Sequence, residues 1–269
     1  MIGSGMIAEW HRTSNSMGFS HQILSPTLVI ICAVMVIAAA GVYRATALGS
    51  LWTVPRAALR AVLQLAAVAV ILAAVLTHLW SSLLALAVMF VAATVTAARR
   101  CQANRSWLLA IALATGLTSV IPLLLISGLV PLTGVALVPV TGIVLGSTMT
   151  AIAVAARRAL DALETRAGEV EAFLSIGATE RHARMHVIGA TAADALLPNL
   201  DQTRTVGVVT LPGAFVGVLL ATGSATQAGA VQILILLAIL LSQTCAVAVT
   251  IELIARGKIA RQWHPPEAE

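Results

Sequence analysis

Charge is scarce in this sequence. Asp, Glu, Lys and Arg supply 10% of its 269 residues, against 59% apolar, whereas a soluble domain carries about 25% charged residues. Too little polar surface remains to coat a water-exposed core, so a bilayer is the expected solvent. Cysteine is nearly absent as well. Cys32, Cys101 and Cys245 form an odd set without metal-type spacing, and two of them lie inside apolar runs, so no disulfide framework or zinc site is implied. Lysine occurs once, as Lys258 before Ile259 in a basic tail. No Gly-x-x-x-x-Gly-Lys-Ser/Thr phosphate loop exists, and the chain does not bind ATP in that manner. The formal charge of +5 does not mark a nucleic-acid binder, because the arginines flank apolar segments instead of forming a continuous patch.

What is present is a series of apolar runs. Requiring about 20 apolar residues per crossing, and fewer where Pro or Gly interrupts, gives an all-α, polytopic membrane protein of about seven transmembrane helices. They are expected near 25–43, 57–77, 79–98, 107–127, 136–156, 205–221 and 231–254, with a tight hairpin at His78 between the second and third. The first run is read as a retained span, since Arg44, Arg56 and Arg60 follow it. Basic residues collect in cytoplasmic loops. Arginines cluster after spans one, three, five and seven, whereas the turns around Ser81, 128–134 and 222–229 carry no charge. All but Arg12 of the 16 basic residues fit an outside N-terminus and a cytoplasmic C-terminus. The chain is accordingly divided into an extracytoplasmic tail (1–24), a permease-like membrane domain (25–255) with a cytoplasmic helical loop (157–204), and a cytoplasmic tail (256–269).

That loop is the one long polar stretch. Leu160, Leu163, Val170, Phe173 and Leu174 can gather on one face of a helix over 159–176, with Asp161, Glu164, Glu169 and Glu171 on the rest. Gly177 suits the stop, and Thr179 the N-cap of a second helix that runs past His182, His186 and Asp194 until Pro198 interrupts it. Such a unit either lies on lipid headgroups or inserts into a groove on a cytosolic partner. Its acidic face disfavours anionic lipid. His182 and His186 have the spacing of metal ligands on a helix but no third ligand nearby, so a surface role is expected. His11 and His21 fall in the outer tail.

Within the membrane, Gly/Pro-interrupted spans point to a lined cavity. Pro139, Gly142 and Gly146 in span five, and Pro212, Gly213 and Gly217 in span six, form such a pair, each holding Gly-x-x-x-Gly. Close helix packing is the competing use of those glycines. A pathway along spans two, five and six would offer Gln64, Ser147, Thr148, Met149 and Thr210. Asp201, three residues before Arg204, is the candidate gate; Glu252 and Arg256 make a similar pair at the end of span seven.

Several segments carry a family likeness. Glu171-Ala172-Phe173-Leu174-Ser175-Ile176-Gly177 resembles the EAA loop of ABC permeases. With Ala178-Thr179, Ala195-Leu196-Leu197-Pro198, Thr205 to Gly213, Arg56 to Leu65 and Pro139 to Gly146, the order and spacing resemble the FetB-type permeases, the bacterial iron-export family that includes the plant aluminium-tolerance permease. The likeness covers about residues 50–255. Ser147 stands where the family commonly has Asn, and Ala214-Phe215 where it has methionine.

The resemblance implies export of iron or another metal ion, and ATP bound by a separate cytosolic ATPase subunit, with no cofactor on this chain. Two permease copies would join two ATPases. Glu171, Ala172, Phe173, Gly177, Ala178 and Thr179 would form the coupling surface. From the residues alone, a gradient-driven carrier or a non-transporting assembly or sensor subunit remains an alternative.

Overall fold

The computed structural model describes residues 26–75 and 79–261. The expectations placed on the tail 1–24, His11, Arg12, His21, His78 and the residues after Arg261 lie outside them. Two compact units divide the chain between Ala74 and Val75.

The first unit holds α1 (Pro26–Ala45) and nearly all of α2 (Thr53–Val75), joined by a turn in which the Leu48 amide donates to the Tyr43 carbonyl (3.1 Å). Helix α2 starts four residues before the expected boundary, so Arg56 and Arg60 lie in its first turns.

The second unit is a helical bundle. It comprises α3 (Leu79–Cys101), α4 (Leu109–Ile126), α5 (Gly134–Thr165), α6 (Ala167–Ser175), α7 (Glu180–Ala193), α8 (Leu197–Thr205), α9 (Gly213–Thr222) and α10 (Ala225–Ala255). The turn expected around Ser81 is helical, inside α3. Short strands β1 (Ala103–Asn104) and β2 (Ala260–Arg261) pair antiparallel and are the exception to an all-helical chain among the described residues.

Helix α5 packs against α3, α4, α7 and α10, and α10 against α4, α5, α7 and α9. These two are therefore the central helices. Their contact faces are built from small and branched residues, including Val144, Ala151, Ile152, Ala155 and Ala156 on α5 and Ile239, Ala246 and Ile254 on α10. Small side chains let helix backbones approach where lipid supplies no hydrophobic drive between helices. Gly116 on α4 is pressed against the backbone of α10: a Cβ there would stand 2.7 Å from the Ser242 carbonyl oxygen and 2.8 Å from its hydroxyl. At 32 and 31 residues, α5 and α10 are each about 46–48 Å long at 1.5 Å per residue. A hydrocarbon core is about 30 Å thick, so the polar ends of both project beyond it.

Five described helices are long and apolar enough to cross a membrane: α1, α3, the segment Ser106–Ile126 containing α4, α5 and α10. Three expectations need correction. The amphipathic helix expected over 159–176 is two elements: its first half continues α5 to Thr165, and the chain breaks at Arg166, whose guanidinium donates to the Val187 carbonyl (2.8 Å) and turns α6 back along α7. Pro198, expected to end a helix, opens α8 instead, in the first turn where its missing N–H costs nothing. The sixth span, expected over 205–221, is not one helix. After Thr205 the chain turns through Gly207 (φ +81°), whose amide donates to the Thr210 carbonyl (2.9 Å), and helix resumes only at Gly213. The 10 residues of α9 reach about 15 Å, half the hydrocarbon thickness.

The two ends of the bundle differ in character. At one, the loop after α3, the end of α5, helices α6 and α7 and the chain after α10 meet through β1–β2 and a set of ion pairs. At the other, Val130 packs with Leu124, Val144 and Ile235 in an apolar cluster around the uncharged turn after α4. The basic loops after the expected spans three, five and seven therefore share one end, as the alternation of charge requires.

Candidate functional site

The candidate coupling residues occupy the α6–α7 turn. Helix α6 closes with Gly177 in the left-handed region (φ +86°). The Gly177 amide donates to the Leu174 carbonyl and the Ala178 amide to the Phe173 carbonyl, both at 3.0 Å. This two-bond closure satisfies carbonyls that the helix end leaves free. One residue later the Thr179 hydroxyl caps α7 by accepting from the His182 amide (3.3 Å). Phe173 packs its ring on His186 (centroids 4.4 Å apart), fixing α6 against α7, while Glu171, Ala172 and Ile176 face outward. Ile176 is 79% exposed at the tip of the turn.

The unit is anchored to the last long helix. Arg181 on α7 grips Glu252 on α10 through both carboxylate oxygens (2.8 and 2.7 Å), and Arg256 adds a third contact at 2.6 Å. Hydrogen bonding to Glu252 and its charge hold the Arg181 pKa above its ordinary value. The Glu252–Arg256 pair was legible from its spacing; its third member, 71 residues away, was not. Behind it, Arg261 reaches Asp161 and also Glu164 (3.3 Å).

The candidate pathway residues separate into groups. Gly146 and Ser147 line a cleft of about 580 Å³ between α5 and the start of α8. Thr148 points the other way: it is fully buried and shares a 2.8 Å hydrogen bond with Ser242. Gln243, also fully buried, donates from Nε2 to the Ser147 carbonyl (3.0 Å). Met149 packs against the main apolar core. Pro139 is exposed, and at Gly142 an added Cβ would meet the flexible end of Met89 at 2.9 Å. Gly146, Gly213 and Gly217 have nothing within 4 Å of such a Cβ, so close packing does not account for them within this chain. Asp201 and Arg204 pair at 3.3 Å on exposed α8, Thr210 lies in the exposed turn, and Pro212 is the N-cap residue of α9. Gln64 is an exposed residue of the first unit.

Sequence reasoning missed Gly116, Ser242, Gln243 and Gln232. The last, 4% exposed on α10, accepts from the Phe215 amide (3.1 Å) and so satisfies a free donor at the start of α9. Buried Gln and Ser within an apolar span were the available signal. Among the described residues no three His, Cys, Asp or Glu side chains come together as a metal site.

Long apolar helices whose polar ends gather at one side of a bundle define a multi-pass membrane protein. Residues 26–258 match the Uncharacterised protein family (UPF0014), and the chain belongs to that family. A UPF0014 membrane protein of Synechocystis is 35% identical over 208 residues, 71% of this chain and 77% of the relative. The probable iron export permease protein FetB of Escherichia coli is 28% identical over 191 residues, 69% of this chain and 71% of the relative. The Arabidopsis thaliana protein ALUMINUM SENSITIVE 3 is 30% identical over 114 residues, 42% of each chain. No solved structure matches.

Proposed function

We propose that this chain is the membrane-spanning permease subunit of an ABC transporter that exports iron or another metal ion, driven by a separate ATPase subunit, with two permease copies per transporter. The likeness to the Escherichia coli permease supports the class and the cargo. The observation that carries the coupling role is the α6–α7 unit: Glu171 and Ile176 are presented outward on a rigid glycine turn, and Arg181 ties the same unit to α10. A rigid projection joined to a long helix is what transmits a partner's movement into a bundle. In this reading α6–α7 faces the cytoplasm of the plasma membrane and the N-terminus lies outside, as the basic loops direct. Gly146, Ser147 and the interrupted segment ahead of α9 then border the route, with Asp201 at its mouth.

The test is a pull-down of the tagged chain in mild detergent, with wild type compared against Glu171→Arg and Gly177→Val. Recovery of an ATPase subunit that both substitutions abolish supports the reading. A wild-type chain that brings down no ATPase, yet carries metal across vesicles under an ion gradient, overturns it in favour of a self-sufficient carrier.

A further inference from the structure

The cleft beside Ser147, which the proposed route borders, joins an apolar stretch of α5 to its basic end. It is lined along α5 by Gly146, Ser147, Thr150, Ala151 and Val154 and, at the polar end of that helix, by Arg157 and Arg158; Asp194, Pro198 and Asn199 complete the lining from the facing segment. From Ser147 to Arg157 along α5 is ten residues, about 15 Å at helical rise. The apolar stretch thus runs about half a hydrocarbon thickness from the polar end. Arg158 is engaged by Asp194 at 2.7 Å. Arg157 is exposed and has no hydrogen bond or ion pair among the described residues. The lining therefore carries one uncompensated positive charge where the apolar part of α5 ends, and Asn199 adds a polar side chain to the same cleft.

We infer that this cleft holds an anionic phospholipid, its phosphate on Arg157 and Asn199 and an acyl chain along Ala151, Val154 and Pro198. Charge and shape agree on that occupant. A guanidinium donates to phosphate oxygens in a fork, and a basic pocket at the edge of a membrane helix is a headgroup site. A soluble anion alone leaves the apolar part of the cleft uncovered. The site shares Gly146 and Ser147 with the proposed route, but its test uses neither the coupling residues nor an ATPase, so it can fail without that reading failing.

The experiment uses the full chain in nanodiscs of phosphatidylcholine alone or with added phosphatidylglycerol, followed by native mass spectrometry of retained lipid and by thermal unfolding. Wild type is expected to retain phosphatidylglycerol selectively and to be stabilised by it. Arg157→Gln should weaken that preference roughly fivefold, the effect of one basic residue near an anionic surface. Arg204→Gln, outside the cleft, should leave it unchanged. No headgroup preference in wild type, or equal loss in both variants, overturns the site. So does stabilisation in phosphatidylcholine by inorganic phosphate alone, which would make it a soluble-anion site. Should Arg157→Gln fail to fold, Asn199→Leu and the wild-type headgroup contrast decide by the same criteria.

Discussion

Helix α5 and the segment 197–222 carry the same sequence devices and fold differently. Each has a proline followed by Gly-x-x-x-Gly. Through α5 the helix runs unbroken for 32 residues with Pro139 inside it; in the other segment helix stops at Thr205 and restarts at Gly213. Pro139 lies in the second turn, where one lost hydrogen bond falls near a helix end, and α5 is gripped by α3, α4, α7 and α10. The segment before Pro212 joins Gly207 to the branched residues Val206, Val208, Val209 and Thr210, and none of these is buried. Packing on several sides overrides a breaker; a breaker without packing prevails.

The comparison breaks most sharply at its glycines. Gly116→Leu should destabilise the bundle by about 3 kcal/mol or more, because the new side chain meets the backbone of α10, which cannot rotate away. Thermal unfolding in detergent measures it, and a fall no larger than that of Gly146→Ala would show that α4 and α10 are not held this closely. Gly177→Ala should follow at about 1 kcal/mol, from forcing a Cβ into the left-handed region. Its signature is faster hydrogen exchange confined to α6 and the start of α7.

Thr148→Val should cost about 1 kcal/mol by leaving Ser242 without its buried partner. A cycle with Ser242→Ala separates the pair from the loss of either hydroxyl, and strict additivity of the two would deny the bond. Arg181→Gln should change global unfolding less than any of these, since exposed ion pairs contribute little. Under the proposed coupling role, its larger effect should be on recovery of an ATPase subunit in the pull-down. At the bottom of the scale, Gly146→Ala should be neutral or add up to about 1 kcal/mol of helix stability, since open space receives the methyl group. A large loss there would mean that another chain or a ligand occupies that space in the membrane.

Much of the architecture was legible because bilayer physics writes itself into composition. Length and apolarity located α1, α3, α4, α5 and α10 to within a few residues at their apolar ends. Gly177 and Thr179 announced the α6–α7 turn through stereochemistry that few other residues satisfy. The candidate site was legible only in part. Ser147 and Thr148 are neighbours in sequence, and a helix turns successive residues by 100°, so one reaches the cleft and the other the core.

The sequence by itself determined that the chain lives in a membrane, where its basic loops fall and where its polar unit bends, since these follow from transfer energies and local backbone preference. Tertiary structure decided the rest: that Gly116 meets the backbone of α10, that Arg181 finds Glu252, that Arg166 breaks one amphipathic run into two helices, and that the sixth apolar run is a turn followed by a short helix. Those outcomes depend on which surfaces meet, and residues far apart in the chain carry no local mark of their partners.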